Sequence, residues 1–162
     1  LYAEKFDPVL PMNEIPLGAP LPPDIAKHCA EITAAEGLIV VHPNWFGQAP
    51  AILRGWVDRV LRVGVAYKFG TNEKGEGVVQ GLLKARSALV FNTANTPLVK
   101  EMELYGDPLN QWWKKCVLGF CGIPRVERVL FTSVILSKPE ERAAWLDRVR
   151  QMVDELFPKQ SR

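Results

Sequence analysis

Leu38-Ile39-Val40-Val41-His42-Pro43-Asn44-Trp45-Phe46-Gly47-Gln48-Ala49-Pro50 is the stretch on which the fold turns. Its first four residues are a continuous apolar run, mostly β-branched, of the kind found in strands covered on both faces, and therefore in parallel sheets. Pro50 stands where a first helical residue is favoured, and Leu53, Trp56, Val57, Val60 and Leu61 follow it at steps of three and four. A buried strand thus passes through an aromatic loop into an amphipathic helix.

Upstream, Asp24 can cap a helix whose apolar positions are Ile25, Cys29, Ile32 and Ala35, running to about Glu36 before Gly37 breaks it. Residues Leu1 to Pro23 carry Pro8, Pro11, Pro16, Pro20, Pro22 and Pro23, which forbid a helix or an inner strand. An extended arm is expected there, with Leu1, Tyr2, Phe6, Val9 and Leu10 as its buriable residues; the alternative is a disordered tail. Downstream, the glycines between Gly64 and Gly81 suggest a mobile loop or small hairpin, and Ala88-Leu89-Val90-Phe91 reads as a second buried strand. Asp107 and Pro108 open a helix with Leu109, Trp112, Trp113, Cys116, Val117 and Phe120 on its apolar side, ended by Gly122. Val126 to Leu136 reads as a last strand. Ser137-Lys138-Pro139-Glu140 then starts a helix that would bury Trp145, Leu146, Val149, Met152, Val153 and Leu156, closed by Pro158.

Alternating helices and continuous apolar strands define an open, mostly parallel α/β sheet with helices on both faces. Residues 1–162 read as a single domain, an arm over 1–23 and an α/β core over 24–162. Three inner strands are few for such a sheet, so the expectation is that a βα unit of roughly 30 or more residues belongs in front of Leu1.

With 162 residues and 48% hydrophobic content, the chain can fill one core. Twenty Lys and Arg stand against 18 Asp and Glu, a formal charge of +2, and the basic residues are scattered, which argues against nucleic acid. No apolar run approaches the roughly 18 to 20 residues of a membrane span. Cys29, Cys116 and Cys121 form neither an even disulfide set nor a C-x-x-C pair and are read as buried small apolar groups, which favours a reducing cytoplasm. His28 and His42 lack Cys or acid partners at ligand spacing, so no metal site is expected. No G-x-S-x-G or phosphate-binding P-loop motif occurs.

In open α/β sheets, ligands lie beyond the carboxyl ends of the strands. Two loops occupy that position. The first is His42 to Pro50, where Trp45 and Phe46 either fold back as lids over the core or form a wall for a flat ligand. The second is Asn92-Thr93-Ala94-Asn95-Thr96-Pro97, either an ordinary polar turn or a set of short hydrogen-bonding side chains beside that wall.

The segment His42 to Val60, followed by Ala66-Tyr67-Lys68-Phe69, Tyr105-Gly106-Asp107 and Phe120-Cys121-Gly122, resembles the flavodoxin-like NAD(P)H:quinone oxidoreductases. That family includes flavin-dependent quinone reductases and the ancillary subunits of potassium-efflux systems. The resemblance implies a homodimer with bound FAD or FMN, NAD(P)H as co-substrate and a quinone or similar acceptor. Pro43, Asn44, Trp45 and Phe46 would meet the flavin ring. Asn92, Thr93, Ala94 and Asn95 replace the family's Thr-Thr-Gly-Gly-like loop, with Thr93 and Asn95 as donors to the ring. Tyr67 and Phe69 match aromatics that reach over the flavin of the partner subunit, and Tyr105 falls near a family histidine that balances protons. The family also begins with a strand, a phosphate-holding loop and a helix, so Leu1-Tyr2-Ala3 matches the point after its second strand.

The enzymatic reading is thus two-electron reduction by ping-pong hydride transfer. Two others stay open: a regulatory subunit docking on a potassium-efflux transporter, and a flavin-free truncated relic of the fold. An inward-facing Trp45 and Phe46 would remove the enzymatic one.

Overall fold

The computed structural model describes residues 1–158. Three parallel strands, β1 (Gly37–Pro43), β4 (Ser87–Thr93) and β5 (Arg125–Phe131), form a sheet in the order β1-β4-β5. Ile39 is in register with Leu89, and Phe91 with Val129. An antiparallel hairpin of β2 (Tyr67–Thr71) and β3 (Gly77–Gly81) takes the place expected for a loop or hairpin. The helices are α1 (Pro23–Ala34), α2 (Ala51–Val60), the short α3 (Leu98–Glu103) and α4 (Pro108–Gln111), and α5 (Pro139–Leu156).

Strand alternation sends side chains to two faces. Ala88 and Val90 point to the larger core, where Ile25, Val60, Leu109 and Trp113 are fully buried. Leu89, Phe91, Val129 and Phe131 point the other way, onto Trp145, Val149, Met152, Val153 and Leu156 of α5. Leu146, expected in that contact, is exposed instead. Ile39 and Val41 share the α5 side of the sheet but lie beyond the reach of α5, so both remain exposed.

The arm is fastened, but not by most of the residues expected to do it. Phe6 is buried, whereas Tyr2, Val9 and Leu10 are exposed. The fastening is polar: Arg59 of α2 donates to both carboxylate oxygens of Glu14, at 2.6 and 3.2 Å, and to the Asp7 carbonyl at 2.6 Å. Arg62 donates to the Glu14 carbonyl. The arm lies so close to α2 that a Cβ on Gly55 would stand 2.1 Å from the Pro8 carbonyl oxygen, leaving room only for glycine.

Three further expectations need correction. The last strand ends at Phe131 rather than Leu136, because Ser133 takes a left-handed φ of 53° and a single helical turn, Val134–Leu136, follows. The helix opened by Pro108 widens into π-type turns over Trp112–Val117. That widening changes the angular step, so Trp113 and Val117 turn inward while Cys116 faces out, contrary to its expected burial. Cys29 and Cys121 are buried, and burial pushes the Cys121 thiol up to about 11. No described helix is long and apolar enough to cross a membrane.

Candidate functional site

The three segments that follow β1, β4 and α3 converge at the carboxyl end of the sheet. The Asn44 N–H donates to the Thr93 carbonyl at 2.7 Å, joining the aromatic loop to the end of β4. The Asn44 side-chain amide donates to Glu101 of α3 at 3.1 Å. A Cβ on Gly47 would meet the Pro108 ring at 2.7 Å, so the loop also rests on the start of α4.

The loop closes on itself through reciprocal backbone hydrogen bonds between Trp45 and Gln48, at 2.9 and 3.0 Å. Phe46 takes a left-handed φ of 52°, an uncommon conformation for a bulky side chain and one that surrounding structure must enforce. The consequence is outward display: Trp45 is 55% exposed and Phe46 fully so. Neither is a lid over the core.

Beneath the loop lies a closed polar cluster. His42 is buried, with Nδ1 2.8 Å from the Pro43 carbonyl and Nε2 2.8 Å from the Trp113 indole nitrogen. Burial lowers its pKa; the Pro43 carbonyl opposes the shift and the Arg128 charge reinforces it. A buried histidine held neutral binds fewer protons than the unfolded chain below its ordinary value of 6.5. Its contribution to stability is therefore complete above that pH, declines as pH falls through it, and levels off below the folded-state value. Thermal unfolding at stepped pH should show wild type losing stability below pH 6.5 relative to His42→Gln, with a limiting slope of about 1.4 kcal/mol per pH unit. Parallel curves would contradict a neutral His42.

The second loop divides. Asn92 is fully buried and its amide is committed to His42 and the interior, so its side chain supports the site from below. Ala94 is also buried; Thr93 and Asn95 are exposed, with Asn95 Oδ1 accepting from the Ile135 N–H at 3.1 Å. Tyr105 is exposed on the turn between α3 and α4. Asp107 does not use its carboxylate as a helix cap: it adopts a left-handed φ of 44° and binds Arg128 at 2.7 Å. Tyr67 and Phe69 are not gathered with these groups. They stand on the hairpin, ring to ring at 5.7 Å, and line a separate hollow of about 630 Å³ shared with Leu10, Trp112 and Phe120.

The residues present suit the ring of a flavin. A flat heterocycle with an apolar body and a polar edge needs an exposed apolar wall beside hydrogen-bonding groups, and Trp45 and Phe46 next to Thr93 supply both. Asn44 Oδ1, enclosed without a donor, adds an acceptor within the same loop.

The fold is that of a flavodoxin-like α/β protein with an exposed aromatic loop at the carboxyl end of its parallel sheet. The chain belongs to the family described as having the flavodoxin-like fold, whose model matches residues 1–154. It is 34% identical to an uncharacterized NAD(P)H oxidoreductase of Haemophilus influenzae, over 93% of this chain and 74% of that protein. It is 32% identical to an FMN-dependent NADH:quinone oxidoreductase of Cereibacter sphaeroides, over 70% of this chain and 54% of that one. Among solved structures, an NAD(P)H:quinone oxidoreductase from Methanothermobacter marburgensis superimposes with a TM-score of 0.73 at 25% identity, covering 93% of this chain and 75% of the other. The chain spans about half to three quarters of the length of these relatives.

Proposed function

We propose that this chain serves in the flavin-dependent two-electron reduction of a quinone or similar acceptor by NAD(P)H, with FMN as the flavin, and that it acts as a homodimer. The observation that carries this reading is the outward display of Trp45 and Phe46 at the carboxyl end of the parallel sheet. The names of the relatives point to the same chemistry and favour FMN over FAD.

When bound, the flavin would take hydride from the nicotinamide and pass two electrons to the acceptor. The chain's part is to hold and orient. Trp45 and Phe46 form an apolar wall that excludes water from one side of the ring. Thr93 and Asn95 offer short polar side chains toward its hydrogen-bonding edge, where negative charge develops on reduction, and the Pro43–Asn44 backbone, tied to His42 and Thr93, fixes where that edge would lie. Tyr67 and Phe69, far from the wall of their own chain, would close the acceptor pocket of a second copy. Tyr105, with its hydroxyl free for solvent or substrate, would give a proton to the reduced acceptor's oxygen.

The test is direct. Purified protein titrated with FMN should quench flavin fluorescence and then oxidise NADH or NADPH with a benzoquinone present. A protein that takes up neither FMN nor FAD would exclude the reading. Tyr105→Phe should lower kcat by about 10²-fold, the lower end of what a general acid contributes, with little change in FMN affinity. An unchanged kcat would leave Tyr105 as a packing residue of the turn. Regulatory docking on a transporter gains no comparable support, since the relatives named above carry oxidoreductase names.

A further inference from the structure

Arg128 sits on β5, and its side chain is almost wholly enclosed on the sheet face opposite α5. Its Nε donates to Asn92 Oδ1 at 2.6 Å and its Nη1 to Asp107 Oδ2 at 2.7 Å. A guanidinium has donors only, so Asn92 must offer it the carbonyl oxygen and turn its NH₂ toward His42, whose Nε2 lies 2.9 Å away. The Trp113 indole also has a donor only, and it points at the same Nε2. That nitrogen must therefore carry its lone pair. The ring proton falls on Nδ1, which donates to the Pro43 carbonyl at the root of the aromatic loop. The two donor-only groups, Arg128 and Trp113, leave this chain of hydrogen bonds with one consistent direction, ending on the Pro43 carbonyl.

Asp107 carries the other branch. It immediately follows Tyr105 and Gly106, in a turn where Gly106 and Asp107 both take left-handed φ values, 68° and 44°. The ion pair to Arg128 holds that turn against the sheet, and the Asp107 N–H is tied to the Glu101 carbonyl at 2.9 Å. One buried guanidinium thus reaches all three segments of the candidate site: the Tyr105 turn through Asp107, the end of β4 through Asn92, and the Pro43–Phe46 loop through Asn92 and His42.

We propose that Arg128 is a positioning residue of the ring site, fixing the three loops relative to one another before any ligand arrives. Its link to flavin rests on the function proposed above; its link to loop geometry does not. A merely structural ion pair would raise global stability and leave the folded loops unaltered on its removal. A positioning residue must change the loops of the folded protein.

The experiment compares wild type with Arg128→Met, Arg128→Lys and Asp107→Asn, at temperatures where each is folded. Lysine keeps the charge but presents a single ammonium where two planar donors are needed, so it guards against failure of Arg128→Met to fold. The first readout, on ligand-free protein, is exchange broadening of the backbone amides of Trp45, Phe46 and Gly47, which reports microsecond-to-millisecond motion. The second is the FMN dissociation constant by fluorescence quenching. Sharp loop signals in wild type, broadened signals in the Arg128 variants and at least a tenfold weaker FMN constant are expected, with Asp107→Asn weakening FMN less. Unbroadened loop amides together with an FMN constant within twofold of wild type overturn the proposal. If wild type binds no FMN but the broadening still follows Arg128, loop positioning stands and the flavin reading falls; unbroadened loop amides with equal FMN binding by all variants sink positioning and keep the flavin.

Discussion

Arg59→Met is expected to lower the free energy of unfolding by about 3–5 kcal/mol, the usual penalty for breaking a buried ion pair from one side. Arg59 is 4% exposed and Glu14 1%, so removing the guanidinium leaves a buried carboxylate without its two-pronged partner, while Arg62 stays bonded only to the Glu14 carbonyl. It also strips the Asp7 carbonyl of its donor at 2.6 Å. The cost should be relieved in part by adding Glu14→Gln, because the second change removes the stranded charge rather than another useful contact. Urea unfolding followed by tryptophan fluorescence measures both. A single-variant loss below about 1 kcal/mol, the range of exposed ion pairs, would show that the arm is not clasped as described.

Trp45→Ala and Phe46→Ala should have the opposite profile, with little effect on folding and a large effect on ring binding. Phe46 is fully exposed, so its loss should shift stability by no more than about 0.5 kcal/mol. Stacking of an aromatic side chain on a flat heterocyclic base is worth roughly 1–3 kcal/mol, which for each substitution corresponds to about a 5- to 150-fold rise in the FMN dissociation constant. Paired fluorescence titration and thermal unfolding separate the two effects. Retention of wild-type FMN affinity in the double variant would remove the aromatic wall from the site, and a collapse in stability would return both residues to the core.

Much of the architecture was legible because continuous apolar strands and 3.6-residue helices leave plain marks. Leu38 to Val41, Ala88 to Phe91 and the apolar stripe of α2 all appear where periodicity places them. The marks failed where local geometry departs from those periods. Leu98–Glu103 forms a helix to which periodicity assigns no element, since six residues are too few to show a stripe. Cys116 was assigned inward on a regular α-helical step that the structure abandons at Trp112.

The candidate site is marked in the sequence by its exposed aromatic loop and not by the side chains that support it. A tryptophan and phenylalanine at a strand end stand out in any sequence. Arg128 does not, because Arg125-Val126-Glu127-Arg128-Val129 reads as a strand with scattered solvated charges, and its partners lie 21 and 36 positions away. One signal was available: Arg128 has the same parity as Val126 and sits opposite Val90, which points into the larger core. A charge at an inward position of a parallel strand demands a partner. Asp107, taken as a helix cap from its place before Pro108, is that partner.

The contact between Pro8 and Gly55 bears on how the polypeptide can be handled. Six prolines make the first 23 residues resemble a disposable leader, the kind of segment removed to improve crystallisation or expression. Cutting it away would bare a channel along the second helix and strip two guanidinium groups, those of Arg59 and Arg62, of the acceptors they now hold. The shortened product should melt earlier and stick to itself.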